Sequence, residues 1–261
     1  MKNILLTGAS GFVGRSILNE LKSCFCIIAP TSLELNLKNL NDVKSFFSNN
    51  KIDWIINSAV KGGRRTKDDS SEDFYNNVAC LDNLLSFVND QCKLITFSSG
   101  AEIHNPSTFY GLSKKICTQI VKNKENVKNL RLYNVFGESG MKDSFVYSTI
   151  EKCFKNQEVT VWEDREYDTY PILNVINLIK CLIEEDCHSY EEVDCVYSQK
   201  YKLSEIAELI RDLTCSKSKI TIWEKGGRPY VGEFANCKNF PSKDIKESLA
   251  DLIVFINNTN P

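Results

Sequence analysis

No stretch of this 261-residue chain approaches eighteen consecutive apolar residues, so none reads as a membrane-spanning helix. Strong charge of either sign is missing too: 32 basic against 34 acidic residues leave a formal net charge of −2. That balance gives no electrostatic reason to expect nucleic acid or an anionic membrane as a partner. Histidines number two, and the eleven cysteines, spread from Cys24 to Cys237, include no C-x-x-C pair. The ligand spacings of a metal site are therefore absent, and the thiols read as reduced core residues. No export signal precedes the first predicted strand, which predicts a cytoplasmic protein. Internal repeats and low-complexity segments are likewise absent. With 42% hydrophobic and 25% charged residues, the chain can bury a sizeable core as one α/β domain, or as one with a modest second lobe.

What is present is concentrated first in Met1 to Arg15. Asn3 to Thr7 has the length and composition of a buried strand. Gly8, Gly11 and Gly14 follow at intervals of three, and a helical pattern begins at Phe12. A strand that turns into a helix on glycines points backbone N–H groups at one spot at the positive end of the helix dipole, which suits a pyrophosphate. Cys24 to Ala29 predicts a second strand, followed by Pro30-Thr31-Ser32. In a dinucleotide fold an acid at this strand's end holds the adenosine ribose hydroxyls; none stands here, and the nearest is Glu34. A carboxylate would repel a 2′-phosphate, so its absence leans towards NADP over NAD, with Thr31 and Ser32 as hydroxyl donors. No Arg stands there, and NAD stays open.

Further along, a helix is predicted over Asn39–Asn49, a strand over Asp53–Asn57 and a helix over Glu72–Asn89. A fourth strand spans Lys93–Phe97 and ends in Ser98-Ser99-Gly100-Ala101; a helix over Tyr110–Val121 and a fifth strand over Asn129–Tyr133 follow. Alternation at this spacing predicts a doubly wound parallel sheet, whose ligands bind beyond the strands' C-terminal ends. Past Gly137 the pattern loosens. Strands are expected at Glu158–Trp162 and Lys219–Trp223. Helices are expected at Asn174–Glu184, at Ser204–Leu213 with Ser204 as N-cap, and at Lys243–Asn257.

Tyr110 and Lys114 stand four apart on one helix face. A free phenol is too weakly acidic to exchange protons readily near neutrality, and a nearby ammonium favours the phenolate, which makes such a pair useful for acid–base work. A strand-end hydroxyl, Ser98 or Ser99, can bond the same substrate oxygen.

Taken together, Thr7-Gly8-Ala9-Ser10-Gly11-Phe12-Val13-Gly14, the Tyr110–Lys114 pair, Leu130 to Gly137, and Arg228-Pro229 with Asn236-Cys237-Lys238 resemble the extended short-chain dehydrogenase/reductases, the NAD-dependent epimerase/dehydratase family. Leu35-Asn36-Leu37, Phe46-Phe47, Ile52-Asp53 and Lys61-Gly62-Gly63 are most similar to its GDP-fucose synthase and dTDP-4-dehydrorhamnose reductase branch. The resemblance implies a Rossmann-type doubly wound sheet, residues 1–137 plus 158–187, with a substrate-binding lobe of 138–157 plus 188–261. It also implies an NADPH-dependent reductase of a nucleotide-linked 4-keto-deoxy sugar, in activated-sugar biosynthesis, and a homodimer paired through a helix bundle. Ser99, Tyr110 and Lys114 are then the catalytic residues. The cofactor falls to Gly8, Ser10, Gly11, Phe12, Val13 and Gly14 at the pyrophosphate turn, to Thr31 and Ser32 after the second strand, to Asn36 and Leu37 near the adenine, and to Ser58, Ala59 and Val60 along ribose and pyrophosphate. Asn77, Ser98, Tyr110, Lys114, Tyr133 and Val135 complete that set. The sugar nucleotide falls to Lys61, Ser99, Gly100, Asn134 and Arg228, and no metal is implied.

The departures narrow the chemistry. In one alignment register the catalytic hydroxyl is Ser99, with Ser98 in reserve; in the other it falls on Gly100 and is lost. Fucose-synthase-like members epimerise carbon with a Cys and a His where this chain has Ala101 and Glu138-Ser139, so that route is not expected. The Asp-Glu pair of the dehydratases is absent too. An NAD-dependent epimerase and a dinucleotide-binding protein without turnover remain as alternatives.

Overall fold

The computed structural model describes residues 1–64, 67–140, 142–185, 192–234 and 241–259. In chain order it opens with β1 (Asn3–Thr7), α1 (Phe12–Leu21), β2 (Cys26–Ile28), α2 (Leu40–Asn49), β3 (Trp54–Asn57) and α3 (Ser71–Leu85). Then come β4 (Lys93–Ser99), α4 (Ala101–His104), α5 (Phe109–Val121) and β5 (Val127–Leu132). The remainder runs β6 (Asn134–Phe136), α6 (Phe145–Phe154), β7 (Val159–Asp164), β8 (Thr169–Pro171), α7 (Ile172–Glu184), β9 (Glu192–Cys195), α8 (Leu203–Leu213), β10 (Ile220–Lys225) and α9 (Ile245–Thr259). Packing divides these into two compact units, Met1–Leu132 with Leu178–Asp194, and Tyr133–Asn177 with Cys195–Pro261.

The first unit is built on a six-stranded sheet of order β2-β1-β3-β4-β5-β9, with β2, β1, β3, β4 and β5 paired in parallel. Leu5, Ile55, Leu94 and Val127 of its strands pack with Leu81 and Leu84 of α3 and Val121 of α5. Each such burial contributes about 1.5–3 kcal/mol relative to exposure. Because β2 lies on one side of β1 and β3 on the other, the strand order reverses at β1, and the crevice beyond the carboxyl ends of β1 and β3 is where a ligand of such a sheet sits. Trp54, buried in β3, carries the ammonium groups of Lys2 and Lys93 each 5.9 Å from its ring centroid.

Local chemistry sets the helix starts. Ser70 accepts the Asp73 N–H at 3.1 Å, and Asp73 accepts the Ser70 N–H at 3.0 Å, a capping box worth about 0.5–2 kcal/mol at the start of α3. That helix stops at Leu85 rather than Asn89, because the Asn89 side chain accepts N–H groups of Gln91 and Cys92 and turns the chain into β4. β4 runs on through Ser99, and the four-residue α4, which periodicity cannot signal, fills the shortened connection to Tyr110.

In the second unit β6 pairs with β8 and β7 with β10. Phe136, Ile150, Val161, Ile206, Ile210, Leu249 and Ile253 form its core. Residues 158–177 pack here, through these strand pairings, and not with the first unit as the sequence suggested. Ser204 is not the N-cap of α8. That position is Lys202, and Ser204 donates its N–H to Asp164 at 2.9 Å from inside the first turn. Trp162 and Trp223 stand side by side on the exposed face of β7 and β10, their ring centroids 4.4 Å apart. Among the described cysteines, all with free thiols, Cys92, Cys153 and Cys195 are buried, but Cys26 and Cys215 are exposed and do not belong to a core. Burial pushes the Cys92 and Cys117 thiols up to about 11. No described helix is long and apolar enough to cross a membrane.

Candidate active site

The glycine turn sits at the strand-order reversal. Gly8 follows β1 with φ +71°, and a Cβ there would lie 2.6 Å from the Ala59 nitrogen. A Cβ on Gly14 would lie 2.3 Å from the Gly8 carbonyl oxygen and 2.6 Å from Ser58 Oγ. Both glycines are thus required for the turn to close on the end of β3, where Ser58 donates to the Thr7 carbonyl at 2.6 Å and Thr7 donates to Asn57 at 2.7 Å. Gly14→Ala is expected to cost about 1–3 kcal/mol by overpacking; a melting temperature equal to that of the unsubstituted protein would contradict this.

Gly11 differs. Its φ is −77°, and a Cβ would meet nothing nearer than the Gly8 oxygen at 3.4 Å, so neither conformation nor packing demands glycine there. It is the N-cap of α1, which has no side-chain cap and no acid in its first turn. The first-turn N–H groups, those of Phe12 and Val13 among them, lie beside exposed Ser10 and are left for an anion.

Beyond β2 the structure brings Glu34, the nearest acid in the sequence, back towards the strand end. Glu34 folds back and accepts both the N–H and the hydroxyl of Thr31, at 2.8 and 2.9 Å. These bonds, the backbone one first, hold its carboxyl below the usual carboxylate range. Ser32 and Asn36 are exposed. Leu37 is half-buried, with its carbonyl accepting from Asn83 at 2.8 Å.

At the far end of β4 the two serines part company, as alternate strand residues must. Ser98 is absorbed into a buried network: its hydroxyl donates to Glu102 and accepts from Thr118 at 2.9 Å. It is therefore not a reserve hydroxyl for a ligand. Glu102 also accepts from Thr118 at 2.6 Å and from Arg131 at 2.5 Å, and Arg131 pairs in addition with Asp194 and Glu192. Burial alone would lower the Arg131 pKa, but the carboxylates of Asp194, Glu102 and Glu192 outweigh it and leave it above the ordinary value. Among the described residues Ser99 stays apart from this cluster; its Oγ accepts a turn bond from the Ala101 N–H at 3.2 Å, and Gly100 donates its N–H to Leu132 at 2.8 Å.

Thr108 caps α5 by accepting the Gly111 N–H at 3.0 Å, so Tyr110 lies in the first turn. Lys114, one turn on, donates to the Phe97 carbonyl at 2.6 Å and stands 5.7 Å from the Tyr110 ring centroid. The ammonium thereby joins the tyrosine to the strand that ends in Ser99. Gly111 lets α4 approach, since a Cβ would fall 2.1 Å from the Asn105 carbonyl oxygen. Asn77 grips the backbone of Lys61 on both sides, accepting its N–H at 2.9 Å and donating to its carbonyl at 3.0 Å, and donates also to Ser113 at 3.1 Å. Ala59 is half-buried, and Val60 and Lys61 are exposed along this loop. Asp69, Glu102 and Ser113 were not singled out in the sequence. Only the Ser-Lys after Tyr-Gly hints at the last of them.

Four candidates lie in the second unit. Tyr133 leaves the sheet instead of ending β5, and its ring meets Tyr230 edge-on at 5.6 Å. Asn134 donates to Thr169 at 3.1 Å, and Val135 pairs with Tyr170. Arg228 is exposed after two left-handed glycines, and its carbonyl accepts from Arg165 at 3.3 Å. Asn236, Cys237 and Lys238 lie outside the described residues.

A model of the NAD dependent epimerase/dehydratase family matches residues 4–189. The chain belongs to that family. The matched residues take in the glycine turn and the Tyr110–Lys114 pair of the first unit, and also Tyr133–Asn177 of the second. Among curated proteins GDP-L-fucose synthase of Azorhizobium caulinodans is 29% identical over 200 residues, 62% of this chain and 64% of that one; the match spans a little under two thirds of its length. Solved structures share the fold of this family member across nearly its whole length. A dTDP-4-dehydrorhamnose reductase from Clostridium acetobutylicum superposes with a TM-score of 0.82 at 21% identity, covering 98% of this chain and 99% of that one. A GDP-mannoheptose C4 reductase from Campylobacter jejuni, solved with NADP bound, gives 0.81 at 14% identity and 98% coverage of each.

Proposed function

We propose that this chain is an NADPH-dependent reductase of the keto group of a nucleotide-linked deoxy sugar. The observation that carries the reading is the placement of Lys114, which bonds the Phe97 carbonyl at 2.6 Å while facing the Tyr110 ring. That arrangement suits a phenol that gives up a proton and is left as phenolate beside an ammonium. The glycine turn fits a dinucleotide pyrophosphate on a second ground: Gly11 is small where nothing in the chain itself needs it to be. NADPH bound there would supply the hydride. Tyr110 protonates the carbonyl oxygen as it gains charge, Ser99 donates a hydrogen bond to the same oxygen, and Lys114 balances the phenolate. Thr31, Ser32, Asn36 and Leu37 take the adenosine end; Ser58, Ala59, Val60 and Asn77 line its path; Tyr133 and Val135 flank the nicotinamide. Lys61, Gly100, Asn134 and Arg228 take the sugar nucleotide. The names of the relatives support a keto-sugar substrate, and the NADP of one of them supports the cofactor.

The reading includes a cytoplasmic homodimer. Phe109, Leu112 and Ile116, spaced along one exposed stripe of α5, form an apolar face of the kind that a second copy covers.

A second reading, an NAD-linked epimerase that returns the hydride, is favoured by one observation: Glu34 stands against Thr31, where a carboxylate would hold ribose hydroxyls and repel a 2′-phosphate. Oxidation of NADPH and NADH against dTDP- and GDP-linked 4-keto sugars separates the two. Net NADPH consumption with at least one of them is expected. Tightly held NAD with interconversion and no net oxidation would establish the epimerase instead, and dinucleotide binding without any turnover would overturn both.

A further inference from the structure

We infer that Asp69 is the positioning residue that fixes the ring of Tyr110, an assignment that rests on the reading of Tyr110 as proton donor. One oxygen of its carboxylate accepts the Gly63 N–H at 2.7 Å and the other accepts the N–H of Tyr110 itself at 3.3 Å. The two bonds join the loop after β3 to the first turn of α5. Gly62 and Gly63 are both left-handed, with φ +86° and +72°, and a Cβ on Gly63 would lie 2.9 Å from Tyr110 Cε1 and Cζ. The bare backbone of Gly63 is therefore laid against the phenol ring.

Among the described residues, Asn77 holds the start of this loop, at Lys61. From there two consecutive glycines leave the backbone free to take many conformations, and Asp69 is what selects the one that abuts the ring. A second path, from Asn77 through Ser113 to the Tyr110 carbonyl at 2.8 Å, secures the helix but not the ring face. The carboxylate is suited to the task because two N–H donors converge on it from different elements, and an ionised carboxylate offers an acceptor to each. An amide of the same shape offers one acceptor and turns its NH₂ on the other donor.

The test compares Asp69→Asn, Asp69→Ala and Asp69→Glu with Tyr110→Phe in the full chain. The readouts are NADPH oxidation with the most active of the dTDP- and GDP-linked 4-keto sugars, and NADPH binding by fluorescence. Misplacing a reacting group by a fraction of an ångström to an ångström costs up to about 10²-fold. Asp69→Asn and Asp69→Ala are expected to lower kcat at least about tenfold, with KM for both substrates within about twofold. Asp69→Glu, which keeps two acceptors, recovers part of the loss. If kcat stays within about twofold in Asn and Ala while Tyr110→Phe is inactive, Asp69 does not position the ring, although the reading of Tyr110 stands. A lowered melting temperature with unchanged kcat, or a raised KM alone, overturns the inference in the same way. Full turnover by Tyr110→Phe overturns both.

Discussion

Tyr110→Phe is expected to lower kcat of NADPH-dependent ketone reduction by about 10²–10⁴-fold, the contribution of a positioned general acid, while the Kd for NADPH stays within about twofold. The substitution is clean because of where the ring lies. Its Cε and Cζ atoms are the ones packed against Gly63, and phenylalanine retains them all. The Tyr110 N–H keeps its bond to Asp69, and its carbonyl keeps the Ser113 hydroxyl. Lys114 keeps its anchor on the Phe97 carbonyl. What disappears is one hydroxyl, and with it the proton. Stopped-flow oxidation of NADPH at saturating keto sugar, with binding measured separately, gives both quantities. Turnover within tenfold of the unsubstituted protein would remove Tyr110 from the chemistry.

The largest loss of stability is expected from Arg131→Met. The guanidinium is surrounded by Glu102, Asp194 and Glu192, the first two with side chains only 5% and 7% exposed. Methionine fills part of the space but leaves two buried carboxylates without a counter-charge. Removing one partner of a buried pair costs about 3–5 kcal/mol, and the contribution of Glu192, more than a third exposed, is discounted for solvent screening. A fall in melting temperature of about 10 °C follows for a protein of this size, read by circular dichroism. A change below 2 °C would mean that the cluster contributes little. The double variant Arg131→Met, Glu102→Gln should recover part of the loss, because the uncompensated charge then falls by one.

The fold of the first unit was legible because its signals are local. A five-residue apolar strand, three glycines at fixed spacing and a tyrosine one turn before a lysine each declare themselves within a dozen residues. Ser99 and Ser98 could not be separated by composition. Their fates depend on which face of β4 each occupies, and only Glu102 and Thr118, brought from α4 and α5, reveal that Ser98 belongs to a buried network. Glu34 was in view, but its return to Thr31 is a property of the turn, not of its place in the sequence. Asp69 reads as one acid in a polar run, because its partners are backbone N–H groups that leave no trace in residue type. In the second unit β6 and β8 are three residues each, too short to show a period of two. α6 was missed because Phe145, Val146, Tyr147 and Ile150 are aromatic and β-branched residues, which favour strands as readily as helices.

The three tryptophans are shared unequally. Trp54 is enclosed in the first unit, while Trp162 and Trp223 meet solvent in the second. Emission from the enclosed indole sits at shorter wavelength than emission from the wet pair. A denaturation experiment that records the whole spectrum, not one wavelength, therefore carries an unlabelled reporter for each half of the molecule. It would reveal whether the halves come apart together or in sequence.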